Sequence, residues 1–441
     1  MSATNEAPDD GEEQDTRVSL PLEAFKSVLP YLLALLFIAA GAYWLIDPAP
    51  PKTIFIAVSK HNPDSHAFAQ LYGALLQEDG IKLEIREADG PLQILDELRS
   101  DTSRVDMAFL QSGTASAESS VGIVSLGSLY YNPLWIFSRK GHRIAHLSAL
   151  KGRRIAIGNP STGTSILSRI ILNAAGVTEQ NSKLVALGDD AAADALQHGT
   201  VDAIFLSGLP NSPLVQHLAA DPHLAMADLD EAEAFSRQFT FLHHLVLPEG
   251  ALNLEHNVPS HPVNLLVPTV TLVARESAHP ALVYLMLKVI KRVHSVAGVL
   301  QAENEFPSDK DTDFELSTQA RKFYESGLPF FDRYLPFWAA TFLNRVLIVL
   351  LPLIALTIPI TRLAPSVYAW LVKSRIYKLY GELRYLETQL HNTQHPLDAA
   401  TCRKELDAIE VRVNHLRLPV AFSSHLYELR THIALVRSQI R

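Results

Sequence analysis

Apolar positions along the chain fall into two alternating rhythms, one of period two and one near period 3.6. TIFIAV (53–58), IKLEIRE (81–87) and VDMAFL (105–110) read as strands. Between them, Phe68, Leu71, Tyr72 and Leu75 recur at helical spacing within 65–77, and 91–99 opens on a proline suited to a first helical turn. The rhythm then repeats. Residues 154–157, 183–187 and 201–206 read as strands, with helices over 163–175 and 189–198. VDMAFL and VDAIFL head equivalent strands in the two halves. Strands alternating with helices predict parallel sheets, and two such runs predict two α/β lobes. PLWIFS (133–138) and FTFLHHLVL (239–247) are expected to be the connecting strands between them. Helical runs over 278–299 and 313–327 are expected to pack back on the first lobe.

Two stretches break this rhythm. Ser27–Ile46 is uncharged and long enough for a helix to cross a hydrocarbon core of about 30 Å. Its acidic upstream region and the DPAPPK that follows favour an uncleaved anchor over a signal peptide. VLIVLLPLIALTIPIT (346–361) forms a second apolar run with PFWAATFLN before it. Pro352 and Pro359 suit a lipid-embedded helix better than a soluble core helix. Beyond it Lys and Arg outnumber Asp and Glu, and Lys373, Arg375 and Lys378 follow closely. The positive-inside rule then sets both termini in the cytoplasm and the α/β region outside. The tail carries helical spacing over 368–390, with Pro396 and Pro419 as breaks between three helices.

The expected organisation is therefore a disordered acidic tail (1–26), a first transmembrane helix (27–46) and a linker (47–52). The first lobe takes 53–138 and 240–336, and the second lobe 139–239. A second transmembrane helix (337–361) and a cytoplasmic helical tail (362–441) complete the 441 residues. The one cysteine, Cys402, lies in that tail, so the α/β region has neither disulfide nor thiol chemistry. Its net negative charge disfavours nucleic acid.

GNPSTGTS (158–165) joins a strand to a helix. Unpaired backbone N–H groups and a partial positive charge are expected at the helix start. Gly158 and Gly163 permit close approach, and hydroxyls add donors, which together make a cradle for a carboxylate or phosphate. The alternative is an ordinary turn capped by Ser or Thr. The loop lacks the Gly-Lys-Ser/Thr ending of a nucleotide P-loop. Candidate ligand contacts in it are Asn159, Ser161, Gly163, Thr164 and Ser165. Strand ends facing the cleft add Ser59, Lys60, Asn62, Gln111, Ser207 and Gly208, with Tyr130, Tyr131 and Asn132 before the first crossover. Neither a G-x-S-x-G elbow nor an H-E-x-x-H pair is present, so no enzyme activity, metal site or cofactor is assigned. His61 and His66 straddle a cleft loop as ligand or solvent contacts, and His142 and His146 flank a surface loop.

Taken together, LGSLYYNPLWIFSRKG, HLSALKGRRIAIGNPSTGTS and DALQHGTVDAIFLSGLPNSP resemble the TAXI-type solute receptors of tripartite (TRAP) transporters. The stretch after 336 is similar to a membrane-anchored branch of that family. The resemblance covers residues 53 to about 300. It implies an α/β fold of the two-lobed periplasmic binding-protein type (type II), with two hinged lobes capturing a small organic anion, a carboxylate or amino acid. The family's usual glycine-rich first loop is replaced here by Ser59–His66. Two readings follow for a protein of a bacterial inner membrane with its binding domain in the periplasm. One is a tethered receptor that delivers its ligand to TRAP permease subunits. The other is a sensor that reports occupancy to a cytoplasmic signalling partner through the helical tail.

Overall fold

The structure is a computed structural model. It describes residues 36, 40–41, 50–115, 120–141, 143–310, 313–390, 398–416 and 420–440. Two compact units are present, one of them Pro48–Asn344 and the other taking in Arg345–Arg441.

In the first unit the strands are β1 (Thr53–Ser59), β2 (Lys82–Ala88), β3 (Met107–Gln111), β4 (Ile123–Tyr131), β5 (Leu134–Arg139), β6 (Arg154–Ala156), β7 (Lys183–Val185), β8 (Ala203–Ser207), β9 (Leu224–Met226), β10 (Leu242–Leu247) and β11 (Val263–Arg275). Its helices are α1 (Pro63–Glu78), α2 (Pro91–Arg99), α3 (Gly163–Ala174), α4 (Asp189–Gln197), α5 (Pro213–Ala220), α6 (Ala232–Gln238), α7 (Pro280–His294), α8 (Thr318–Ser326) and α9 (Phe330–Tyr334).

Parallel pairing of β1 with β2 and β3 builds the first lobe, which β11 and β4 extend in the antiparallel sense. Burial on both faces explains why β1 is nearly all apolar. Ile54, Ile56 and Val58 face α1, α7 and α8, where Tyr72, Leu76, Met286, Ile290 and Phe323 fill one core. Ala57 faces the other side, against Ile94, Leu95 and Leu98 of α2. The second lobe repeats the plan: β6 pairs with β7 and β8 in parallel, and β5 lies antiparallel to β8. Its two cores are built around Phe205 and Ile171 on one face and Trp135, Ile204 and Leu218 on the other. The α/β architecture expected from the alternating pattern is thus present.

Two crossings join the lobes. The first is the Asn132-Pro133 step between β4 and β5. The second is β11 itself: its Val263–Pro268 half pairs with β10, its Thr269–Arg275 half with β3 and β4. The crossing expected at 239–247 is therefore displaced. That segment is β10, paired along its length inside the second lobe. The crossings are tied together, since the N–H of Asn132 donates to the carbonyl of Pro268 at 2.9 Å.

The second unit holds most of α10 (Phe337–Leu390), then α11 (Ala399–His415) and α12 (Ser423–Gln439). Leu379, Leu383 and Leu386 of α10 share a core with Leu406, Ile409 and Val413 of α11 and Leu429, Ile433 and Val436 of α12. The buried Cys402 belongs to this core. Among the described residues no helix is long and apolar enough to cross a membrane. The expected first span lies outside the described residues except at Leu36, Ala40 and Gly41, as do Pro396, Pro419 and His142. The expected second span falls within α10, where only part of the side chains are described.

Candidate functional site

Asn62 caps α1 by accepting the N–H of Ser65 at 3.0 Å, and its carbonyl takes the N–H of His66. Thr162 does the same for α3, its Oγ1 accepting from the N–H of Ser165 at 3.3 Å and its carbonyl from Ile166. The same Oγ1 donates to the carbonyl of Asn159 at 2.7 Å, which fixes the GNPSTGTS turn. Each lobe thus presents the start of a helix, with its partial positive charge, to one space between them.

That space is a cavity of about 50 Å³. From the first lobe Ser59, His61, Asn62 and Ser65 line it, together with Gln111 at the end of β3. Asn132 enters at the hinge. The second lobe supplies Thr162, Gly163 and Thr164 at the start of α3 and Ser207 at the end of β8. Pro91, Ile94, Phe109, Leu110 and Val270 complete the lining with apolar surface. Strand ends and helix starts therefore converge where open α/β sheets place ligands.

Three buried polar atoms here have no hydrogen-bond partner: Gln111 Nε2, Asn132 Oδ1 and Ser207 Oγ. Asn132 is only 2% exposed. A buried polar group left unpaired costs about 1–3 kcal/mol, so three around one cavity concentrate unmet hydrogen-bonding capacity there. The larger groove, about 760 Å³ between α10 and α12, lacks this feature: none of its lining side chains is among the unpaired buried atoms.

Acidic groups frame the cleft. Asp64, at the start of α1, accepts the N–H of Leu209 from the other lobe at 3.0 Å, and burial raises its pKa. Burial pushes the Asp189 carboxyl up to about 6, with Asp190 adding to the effect and His61 opposing it.

Ser59, Asn62, Gln111, Asn132, Gly163, Thr164 and Ser207 of the expected contacts meet at the cavity. The others do not line it. Lys60 is turned outward in an ion pair with Asp89. Tyr130 is buried in the first-lobe core, stacked on His294 with ring centroids 5.6 Å apart. Tyr131 points to the opposite face, its hydroxyl donating to Glu305 at 2.9 Å. Asn159 and Ser161 are spent on the turn, with Asn159 Oδ1 accepting from Ser161 Oγ at 3.2 Å. Ser165 is buried under the cap, and the carbonyl of Gly208 accepts from Trp135 Nε1 at 2.8 Å. Of the polar lining, sequence reasoning missed Ser65, whereas Thr162 is one of the turn hydroxyls expected to donate and Asn132 stands with the tyrosines before the crossover. Ser65 follows the cap Asn62 by three residues, Asn132 precedes the crossover proline, and Thr162 stands one residue before the helix glycine. Among the described residues no cluster of three or more His, Cys, Asp or Glu is disposed to hold a metal.

Solved structures similar to this chain include the substrate-binding protein of an amino acid ABC transporter. It is 18% identical over 55% of this chain and 92% of that one, with a TM-score of 0.34. The periplasmic aliphatic sulphonate binding protein SsuA from Escherichia coli is 15% identical over 56% and 73%, with a TM-score of 0.37. An ancestral arginine-binding protein bound to arginine is 15% identical over 56% and 93%, with a TM-score of 0.36. The model of the NMT1-like family matches residues 63–325, more than half of the chain, and the protein belongs to that family.

Proposed function

We propose that the protein is a membrane-anchored, extracytoplasmic solute-binding receptor that captures a small organic anion between its lobes. The observation that carries this reading is the convergence of two capped helix starts, at Asn62 and Thr162, on a cavity holding the unpartnered Gln111, Asn132 and Ser207 groups. Backbone N–H groups at a helix start favour an oxyanion, Gln111 Nε2 and Ser207 Oγ are placed to donate to it, and Asn132 Oδ1 accepts from a donor elsewhere on the ligand, such as an ammonium. The ligand is a carboxylate, an amino acid or a sulfonate small enough for the cleft. Binding and release of the ligand are the chemistry this reading asks of the cavity.

The anchor is part of the proposal. Trp338, Ile348, Leu351, Ile354 and Ile358 on α10 are all exposed, which suits a helix surrounded by lipid. The domain then lies in the periplasm of a bacterial cell, with both termini in the cytoplasm. From there it delivers cargo to the permease subunits of a TRAP-type transporter, as the family resemblance implies. A second reading, a sensor with a cytoplasmic partner, is favoured by one observation: the end of α10, α11 and α12 share a buried core of their own, a folded unit on which a partner could dock. Calorimetric titration of the full chain in detergent against carboxylates, amino acids and sulfonates tests the core of the proposal. Saturable binding of one class is expected; a folded protein that binds none of them contradicts it.

A further inference from the structure

The backbones of the two lobes come close at Gly90 and Ser161. A β-carbon built on Gly90 of the first lobe would fall 1.6 Å from the carbonyl oxygen of Ser161 in the second, and 2.7 Å from its carbonyl carbon. Gly90 itself has φ 175, extended backbone that any residue adopts. Nothing in the first lobe's own conformation asks for glycine there; the demand comes from across the cleft. The Ser161 side has little freedom to yield. Its N–H and hydroxyl are both held by Asn159 Oδ1, and the next N–H, of Thr162, is held by the carbonyl of Asn159. Elsewhere between the lobes the carboxylate of Asp64 accepts the N–H of Leu209 at 3.0 Å. This is a charge-assisted hydrogen bond joining the start of α1 to the loop after β8.

We infer that Gly90 is the gate that lets the two lobes close and that the Asp64–Leu209 hydrogen bond is the latch that holds them closed. In the closed arrangement protein atoms alone make both contacts, so residence of any cargo is governed by the latch as well as by the cavity. The inference depends on the two-lobed fold and not on the identity of the ligand.

Inter-lobe distances measured by pulsed electron resonance test it, on the full chain with no ligand added. Spin labels are placed at Lys82→Cys on β2 and Lys183→Cys on β7, both exposed, in a Cys402→Ala background. The wild-type sequence should populate the short, closed separation. Gly90→Ala should lose it while keeping its circular dichroism spectrum and melting temperature. Asp64→Ala should lower the closed-to-open ratio about tenfold, the effect of losing a hydrogen bond to a charged group. Gly188→Ala, where an added β-carbon meets nothing within 4 Å, is the control and should change nothing. Retention of the closed separation in Gly90→Ala overturns the gate, and an unchanged ratio in Asp64→Ala overturns the latch. An unfolded Gly90→Ala would make the glycine a folding requirement and overturn the gate as well. A wild-type distribution lacking the short separation overturns both.

Discussion

Asp106 and Asp202 make the same two-point clamp in the two lobes. Each accepts the N–H of a neighbouring strand residue, Phe55 or Arg154, at 2.9 Å, and each returns its own N–H to that residue's carbonyl. The VD repeat visible in the sequence therefore has a physical role: it sets the register where parallel pairing begins. Arg154 also grips Asp202 through Nε and Nη2, and this pairing holds the Asp202 carboxyl down at about 2. With the folded value below the ordinary one, the stabilisation is present above about pH 4 and lost as pH falls through about 2. Asp202→Ala is expected to cost about 2 kcal/mol in urea unfolding at pH 7, and less at pH 3. His294 works in a different window. Its Nε2 shares a 2.5 Å hydrogen bond with the Tyr72 hydroxyl, and burial pushes its pKa down to about 3. Between about pH 6.5 and 3 the unfolded chain binds the extra proton, so stability drops on acidification by up to about 1.4 kcal/mol per pH unit. Melts at pH 7 and pH 5 should show a smaller drop for His294→Phe than for the wild type. The tyrosine pair shows where residue-level reading ends. Neighbours on a strand face opposite ways, and only the packing of α1 and α7 puts Tyr130 in the core with Phe68 and His294.

At the scale of elements, the turn into α3 was legible because its signals are local: glycines, hydroxyls and an apolar run at helical spacing. Its cap is Thr162, whose side chain serves both the Ser165 N–H and the Asn159 carbonyl. Thr162→Ala is expected to lower stability by about 1 kcal/mol, read from chemical unfolding, and to weaken anion binding through the loosened helix start. The return crossing was not legible. FTFLHHLVL and VNLLVPTVTLVAR are both extended and apolar, and strand character alone does not say which spans two lobes. Length decides: β11 has thirteen residues and serves both sheets, whereas β10 has six and pairs along its whole length with one half of β11. In the helical tail, truncating a fully buried core position such as Leu429→Ala should cost roughly 2–5 kcal/mol of that unit's stability, seen in its thermal melt.

For the whole molecule, the alternation of strands and helices was enough to foresee two α/β lobes, because each β–α step is short and repeats. The arrangement of the lobes across the cleft was not, because it depends on contacts such as Gly90 with Ser161 between residues distant in sequence. The topology proposed for the cell makes its own prediction. An enzyme reporter that works only in the cytoplasm, fused after Arg441, should be active, and the same reporter inserted in the α/β unit should be silent. Activity from both positions would contradict an extracytoplasmic binding unit. The central claim is narrower: a small anion sits where α1, α3 and the ends of β3 and β8 meet. The most direct test is to titrate the best-binding anion of the panel into the full wild-type chain and into Gln111→Leu/Ser207→Ala. Loss of hydrogen bonds to a charged group predicts affinity at least about tenfold weaker in the double variant, with its melting temperature preserved. Equal affinity in the two proteins would contradict this cavity as the binding site.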